Sequence, residues 1–125
     1  MSHKKILIVE DEGAILKLLG RVFVGQGYSV MTAQDGVQGL SMALGFHPDL
    51  ILLDIVMPNS DGINMLREIR ARGGDWGREV KAIVYTNLSY QEKREEAVAL
   101  GIRKFLIKAN VGIDELVAVV NRELV

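Results

Sequence analysis

Four places in this 125-residue chain put a polar, chemically capable residue directly after an apolar run. Glu10-Asp11-Glu12 follows Ile6 to Val9, and Asp54 follows Leu50 to Leu53. Thr86 follows Val80 to Tyr85, and Lys108 follows Lys104 to Ile107. Glu10, Asp11 and Asp54 form a set of hard oxygen ligands, suited to Mg²⁺ rather than to a metal that prefers thiolate or imidazole. A cation there lets several carboxylates stay ionised side by side and offsets charge on an incoming phosphoryl group. A carboxylate can also act as nucleophile and become an aspartyl phosphate. Lys108 would supply a fixed positive charge to phosphoryl oxygens and Thr86 a hydroxyl donor. Phosphoryl transfer asks little more of a protein than positioning and electrostatic stabilisation.

Each of these residues also has a plainer explanation. Asp11 or Glu12 could cap a helix, since acidic groups are favoured at helix N-termini. Thr86 could cap the helix after it, and Lys108 could be a solvated loop lysine. Asp54 fits such an explanation worst, because Ile51-Leu52-Leu53 precede it and Ile55-Val56-Met57 follow it. An ionised carboxylate in those surroundings is costly unless a cation or several donors compensate it. All four positions nevertheless fall at matching run ends, which four unrelated plain roles would not produce together.

They converge only if the runs are neighbouring strands. Ile6 to Val9, Tyr28 to Ala33, Leu50 to Leu53, Val80 to Tyr85 and Lys104 to Ile107 have no polar side, as expected of strands buried on both faces. Between them the apolar spacing turns helical, most clearly at Ile15, Leu18, Leu19, Val22 and Phe23, and at Ile113, Leu116, Val117, Val120 and Leu124. Val37, Leu40 and Leu44 mark another helix, Met65, Leu66 and Ile69 another, and Ala97, Val98 and Leu100 a weaker one. Gly25, Gly27, Gly45 and Gly101 punctuate the turns. Arg72 to Glu79 reads as a loop in which Trp76 packs, and His47 before Pro48 as a turn residue. Strand–helix alternation of this length implies an α/β fold: a five-stranded parallel sheet, open and doubly wound, with helices on both faces. Ligands of such a sheet bind at strand C-termini, where the strand order reverses. One domain over residues 1–125 is expected.

Composition removes several other classes. The formal net charge of −1 carries no clustered basic excess, which argues against direct nucleic-acid binding. With no cysteine, neither a disulfide framework nor a thiolate metal site can form. The apolar run after Met1-Ser2-His3-Lys4-Lys5 is too short for a signal peptide or membrane span, so a cytoplasmic protein is expected. A nucleotide-binding loop is excluded because Glu10-Asp11-Glu12-Gly13 stands where glycine-rich phosphate contacts would be needed.

The string Asp54-Ile55-Val56-Met57-Pro58-Asn59-Ser60-Asp61-Gly62 resembles the Asp-x-x-Met-Pro-x-x-Asp-Gly signature of two-component response regulator receivers, the CheY-like superfamily. The spacing from Glu10-Asp11 to Asp54, Thr86 and Lys108 is also close to that family's, and the resemblance covers essentially the whole chain. It implies a flavodoxin-like (βα)5 three-layer sandwich with strand order 2-1-3-4-5, an order that doubly wound receivers exemplify. It further implies that Asp54 is phosphorylated by a sensor histidine kinase, a histidine phosphotransfer protein or a small phosphodonor. Asp11 and Asp54 would bind Mg²⁺ directly, Glu10 through water, and the Val56 carbonyl would complete the site. Thr86 and Lys108 would bind the phosphoryl group, Thr86 and Phe105 would form the switch, and a downstream effector protein or domain would receive the signal.

The chain departs from the family pattern in three places: Glu10-Asp11 instead of two aspartates, Asn87 instead of a small residue after Thr86, and Ala109 instead of proline after Lys108. Loss of that proline predicts a trans Lys108–Ala109 bond, since cis costs about 2.5–4 kcal/mol without proline. Arg103 and Lys104 replace the acidic pair of receivers that dimerise through this region, so that dimer is not expected. Two rivals remain. A degenerate receiver would act as a phosphorylation-independent binding module, but the intact Asp54, Thr86 and Lys108 argue against it. A phosphohydrolase forming an aspartyl phosphate would want an acid two residues after its nucleophile, where Val56 stands.

Overall fold

A computed structural model describes residues 3–57, 61–87 and 91–125. Five strands form one parallel sheet: β1 (Lys5–Val9), β2 (Ser29–Ala33), β3 (Leu50–Leu53), β4 (Lys81–Thr86) and β5 (Lys104–Ile107), in the order β2-β1-β3-β4-β5. The helices are α1 (Gly13–Gly25), α2 (Gly36–Phe46), α3 (Gly62–Arg72), α4 (Gly74–Glu79), α5 (Gln91–Ala99) and α6 (Ile113–Glu123). The expected doubly wound sandwich is therefore present, with the expected strand order.

Alternating side chains on the central strands feed two separate cores. Leu7, Val9, Ile51, Leu53, Ala82 and Val84 meet α2, α3 and α5 on one face. Ile6, Ile8, Leu50, Leu52, Ile83 and Tyr85 meet Leu16, Leu19 and Phe23 of α1 and Leu116, Val119 and Val120 of α6 on the other. Both faces of β1 and β3 are dry, which is why those strands read as unbroken apolar runs.

The apolar spacing misplaces some helix faces. On α1 the inner stripe is Leu16, Leu19 and Phe23, while Leu18 is 49% exposed. On α2, Val37 is 72% exposed and the buried positions are Gly36, Gly39 and Ala43. Gly39 is there because α2 lies close to the sheet: a Cβ would fall 3.1 Å from a Val9 methyl. Val98 of α5 is 58% exposed, leaving Ala97 as that helix's one buried residue. Gly25 and Gly45 sit inside helices instead of in turns, and among glycines the left-handed turns fall to Gly27, Gly74 and Gly101. His47 is the turn residue expected, closing α2 in the left-handed region at φ 48°.

The stretch expected as a loop after α3 holds the short helix α4. Gly77 lets α4 press against the last turn of α3, since a Cβ would collide with the Ile69 carbonyl. Trp76 packs as expected, its ring stacked on His47 at 4.3 Å with Nε1 donating to the Pro48 carbonyl at 2.9 Å. Arg70 completes the corner. Its guanidinium donates to the carbonyls of Gly77 and Val80 beyond α3, and to that of Leu100 at the end of α5.

Asp61 and Gly62 set the start of α3. Asp61 caps it, accepting from the Ile63 N–H at 2.9 Å, as its residue type suggests. Gly62 answers to proximity and not to turn conformation: a Cβ would lie 2.8 Å from the Ile55 Cα and closer still to the Asp54 carbonyl oxygen. Pro58, Asn59 and Ser60 of the signature lie outside the described residues. Gly62→Ala should therefore push α3 off the segment that carries Asp54. Thermal unfolding should show a loss of about 1–3 kcal/mol, the usual cost of forcing extra volume into a packed site. Unchanged stability would mean that the close approach is not maintained.

Candidate functional site

The sheet ladder continues one residue past several strands and fixes the site. The Asp54 N–H donates to the Val9 carbonyl at 3.0 Å, the Glu10 N–H to the Ala33 carbonyl at 3.0 Å, and the Lys108 N–H to the Thr86 carbonyl at 2.8 Å. Strand order reverses between β1 and β3, because β1 is followed in sequence by one neighbour and flanked on its other side by β3. Glu10 and Asp54 extend those two strands. A cavity of about 330 Å³ opens there, lined by Glu10, Asp11, Glu12, Asp54, Val56, Thr86, Asn87 and Lys108.

Within it, Thr86, Lys108 and the Val56 N–H meet Asp54, and Lys108 also meets Glu10. One Asp54 oxygen, Oδ1, accepts from the Thr86 hydroxyl at 2.6 Å and from the Val56 N–H at 3.0 Å. The other, Oδ2, accepts from the Lys108 ammonium at 3.0 Å, which also donates to Glu10 Oε1 at 2.9 Å. Carboxylate oxygens of Glu10, Asp11 and Asp54 lie within 4.8 Å of one another. Glu10, Asp54 and Thr86 are buried, whereas Asp11 is exposed at the rim.

The same geometry bears on the plainer explanations of these residues. Glu12, at the N-cap of α1, makes no side-chain cap hydrogen bond. The Thr86 hydroxyl donates to Asp54. The Lys108 side chain is only 12% exposed, so it is no solvated loop residue. The Lys108–Ala109 bond is trans, as expected without proline, and the ammonium still reaches both carboxylates. Val56 gives its N–H to Asp54, and Asn87 stands exposed at the rim.

Burial and pairing set the protonation of the trio. Burial alone would raise the Asp54 carboxyl, but hydrogen bonds from Thr86, Val56 and Lys108 outweigh it and hold Asp54 below the usual carboxylate range. Burial likewise acts against the Lys108 charge, yet bonding to Glu10 and Asp54 leaves its pKa raised. Glu10 absorbs the imbalance. Its carboxyl is pushed up to about 7 by burial and then by Asp54, with Lys108 pulling only partly the other way. Two carboxylates sharing one ammonium cannot both be fully ionised cheaply.

Phe105 lies beside this group, not in it. It pairs across from Val84 while Thr86 pairs with Ile107, so Thr86 and Phe105 point to the same face of adjacent strands. Phe105 is half-buried, and the Arg94 guanidinium sits 5.4 Å from its ring centroid. The sequence pattern gives no hint of Arg94 or of Arg70. It gives one for Tyr85, a hydroxyl ending an otherwise aliphatic run; a buried tyrosine OH needs a partner.

Comparison with known proteins identifies the family. Residues 6–121 match the family model described as the response regulator receiver domain. Response regulator MprA from Mycobacterium sp. (strain KMS) is 33% identical over 114 residues, which is 91% of this chain and 47% of that protein. The chain spans between a quarter and a half of the length of curated relatives such as this one. The receiver domain of sensor histidine kinase PA1611 from Pseudomonas aeruginosa PAO1, solved with magnesium coordinated in its active-site cleft, is 31% identical. It covers 97% of both chains with a TM-score of 0.83. Chemotaxis protein CheY4 of Vibrio cholerae is 26% identical, covers 97% of this chain and 98% of its own, and has a TM-score of 0.87.

The raised Glu10 pKa makes metal-free stability fall with pH. The folded state holds this proton to about pH 7, whereas the unfolded carboxyl releases it near its ordinary value of 4.5. Stability is therefore lost as pH rises from roughly 4.5 through 7. Without divalent cation, Glu10→Gln should melt on the order of 5 °C above the parent at pH 8, with the gain disappearing near pH 5. A gain that is the same at both pH values would show that Glu10 is not the group that titrates.

Proposed function

The chain belongs to the response regulator receiver family, and from that premise we propose that residues 1–125 form a single receiver domain whose phosphoacceptor is Asp54. The observation that carries this reading is the Asp54 carboxylate itself: buried, ionised, and held by a hydroxyl, a backbone N–H and an ammonium at the reversal of the sheet. An oxygen of Asp54 attacks the phosphorus of the donor. The bond from phosphorus to the donor's histidine nitrogen, or to the acyl oxygen of a small phosphodonor, breaks, and its electron pair leaves with the donor. Lys108, already within reach of Asp54, neutralises phosphoryl oxygens, and Thr86 can turn its hydroxyl from Asp54 to one of them.

The donor set fits Mg²⁺. Carboxylate oxygens from three residues gather within 4.8 Å, and Glu10 and Asp54 share a single ammonium. Asp11 and Asp54 would hold the ion directly, Glu10 at a water-mediated position, and the Val56 carbonyl at a fourth. When bound, the ion supplies positive charge that offsets the carboxylates and the phosphoryl oxygens. Receiver domains are signalling domains, and this one would catalyse only its own phosphorylation and dephosphorylation.

Output runs through the Thr86–Phe105 pair. Withdrawal of the Thr86 hydroxyl toward a phosphoryl oxygen frees space on the face that Phe105 shares, so the ring can move inward from its half-buried position. The partners are a sensor histidine kinase or histidine phosphotransfer protein on one side and an effector protein or domain on the other. No described helix is long and apolar enough to cross a membrane, and the setting proposed is the cytoplasm.

With Mg²⁺ and acetyl phosphate, intact-mass measurement should show one added phosphoryl group on the parent and none on Asp54→Asn. Equal labelling of that variant would sink the assignment of Asp54. Asp11→Asn should weaken Mg²⁺ binding on the order of tenfold or more, followed by fluorescence or calorimetry. On addition of beryllofluoride, ring resonances of Phe105 should shift together with those of Thr86. Changes confined to Asp11 and Asp54 would separate site filling from output.

A further inference from the structure

Lys108 must be aimed by something other than the proline that its family resemblance would place after it, and the surroundings of Tyr85 supply a candidate. Tyr85 is the penultimate residue of β4, one before Thr86, with its side chain on the α1–α6 face of the sheet and almost wholly buried. Its hydroxyl donates to the Val111 carbonyl at 2.8 Å. Val111 lies in the connection between Lys108 and α6, is itself buried, and donates its N–H back to the Ile107 carbonyl at 3.1 Å. Val111 is thus tied twice, by its N–H to β5 and by its carbonyl to β4.

The ring has a second contact. Its centroid lies 5.9 Å from the Lys108 Nζ, a distance at which a ring face attracts a cation. Tyr85 and Lys108 also share, with Glu10 and Asp54, the walls of a void of about 10 Å³ directly under the carboxylates. The tyrosine therefore fills the floor on which the lysine stem lies. An aliphatic residue at this position would bury similar area but would leave the Val111 carbonyl without its donor and offer the ammonium no π face.

We propose that Tyr85 is the positioning residue for Lys108, clamping the Lys108–Val111 segment through its hydroxyl and holding the ammonium over Asp54 and Glu10 through its ring. The proposal rests on the reading of Lys108 as the phosphoryl-binding cation. It makes the trans Lys108–Ala109 bond compatible with a correctly placed lysine, because the restraint comes from the neighbouring strand instead of from residue 109.

The test uses the full chain as Tyr85→Phe, which keeps the ring, and Tyr85→Leu, which removes ring and hydroxyl. Phosphorylation from acetyl phosphate should slow about fivefold in the first and further in the second, with Mg²⁺ affinity unchanged in both. In low-temperature proton–nitrogen spectra, the Lys108 ζ-ammonium protons should exchange faster with water in Tyr85→Phe than in the parent. A merely structural tyrosine would lower the melting temperature and leave the rate and the lysine signal alone, which overturns the proposal. A rate loss matched by an equal loss of Mg²⁺ affinity also overturns it, since the whole site would then have deformed. Failure of the parent to be phosphorylated would refute the reading of Asp54, while the Lys108 signal would still report on Tyr85.

Discussion

A single half-buried ammonium facing two buried carboxylates imposes its terms on the rest of this protein. Taking such charges out of water costs several kcal/mol per ion before any pairing, so each must be given partners from the protein. Lys108 can satisfy one oxygen of Glu10 and one of Asp54. The remaining Asp54 oxygen takes the Thr86 hydroxyl and the Val56 N–H, and with those three donors Asp54 stays ionised. Glu10 has fewer donors and gives way, keeping its proton to about neutrality. The carboxylates outnumber the one ammonium, and what the fold leaves uncompensated is negative charge that a divalent cation would offset.

That electrostatic arrangement depends on the backbone more than on the side chains. Glu10, Asp54 and Lys108 each sit one residue beyond a strand and are still tied into the ladder by an N–H to the neighbouring strand. The register that pairs Val9 with Leu53 and Thr86 with Ile107 therefore sets which carboxylate meets which donor. Because the sheet is covered on both faces, the order of packing on β1 and β3 cannot slip without exposing two cores at once. The precision of the site is inherited from the register of an apolar sheet.

Much of this was legible in sequence, and for physical reasons. Strands buried on both faces appear as unbroken apolar runs, so the polar residue after each run marks a strand end, and parallel strands bring those ends together. Asp11, Asp54, Thr86 and Lys108 could be placed that way. Helix faces were less legible because periodicity finds a stripe without saying what lies opposite it. Leu18 and Val37 belong to apolar stripes yet face outward, while glycine and alanine line the inner side of α2, where the sheet approaches too closely for larger groups. Long-range polar ties were invisible. Arg70 and Tyr85 find backbone carbonyls whose sequence positions no local pattern connects to them.

The guanidinium of Arg70 has a mechanical consequence for α5. It grips the Leu100 carbonyl at that helix's C-terminal end and anchors it to the corner formed by α3 and α4. Elsewhere α5 is held by Ala97, its one buried residue, and by an ion pair from Lys93 to Asp61 at the start of α3. Any displacement of α5 must break the Arg70–Leu100 and Lys93–Asp61 contacts or carry their partners along. Arg94, resting on the Phe105 ring, lies between those two ties. A shift of the ring would therefore reach α5 at a point restrained on either side, loading both contacts together.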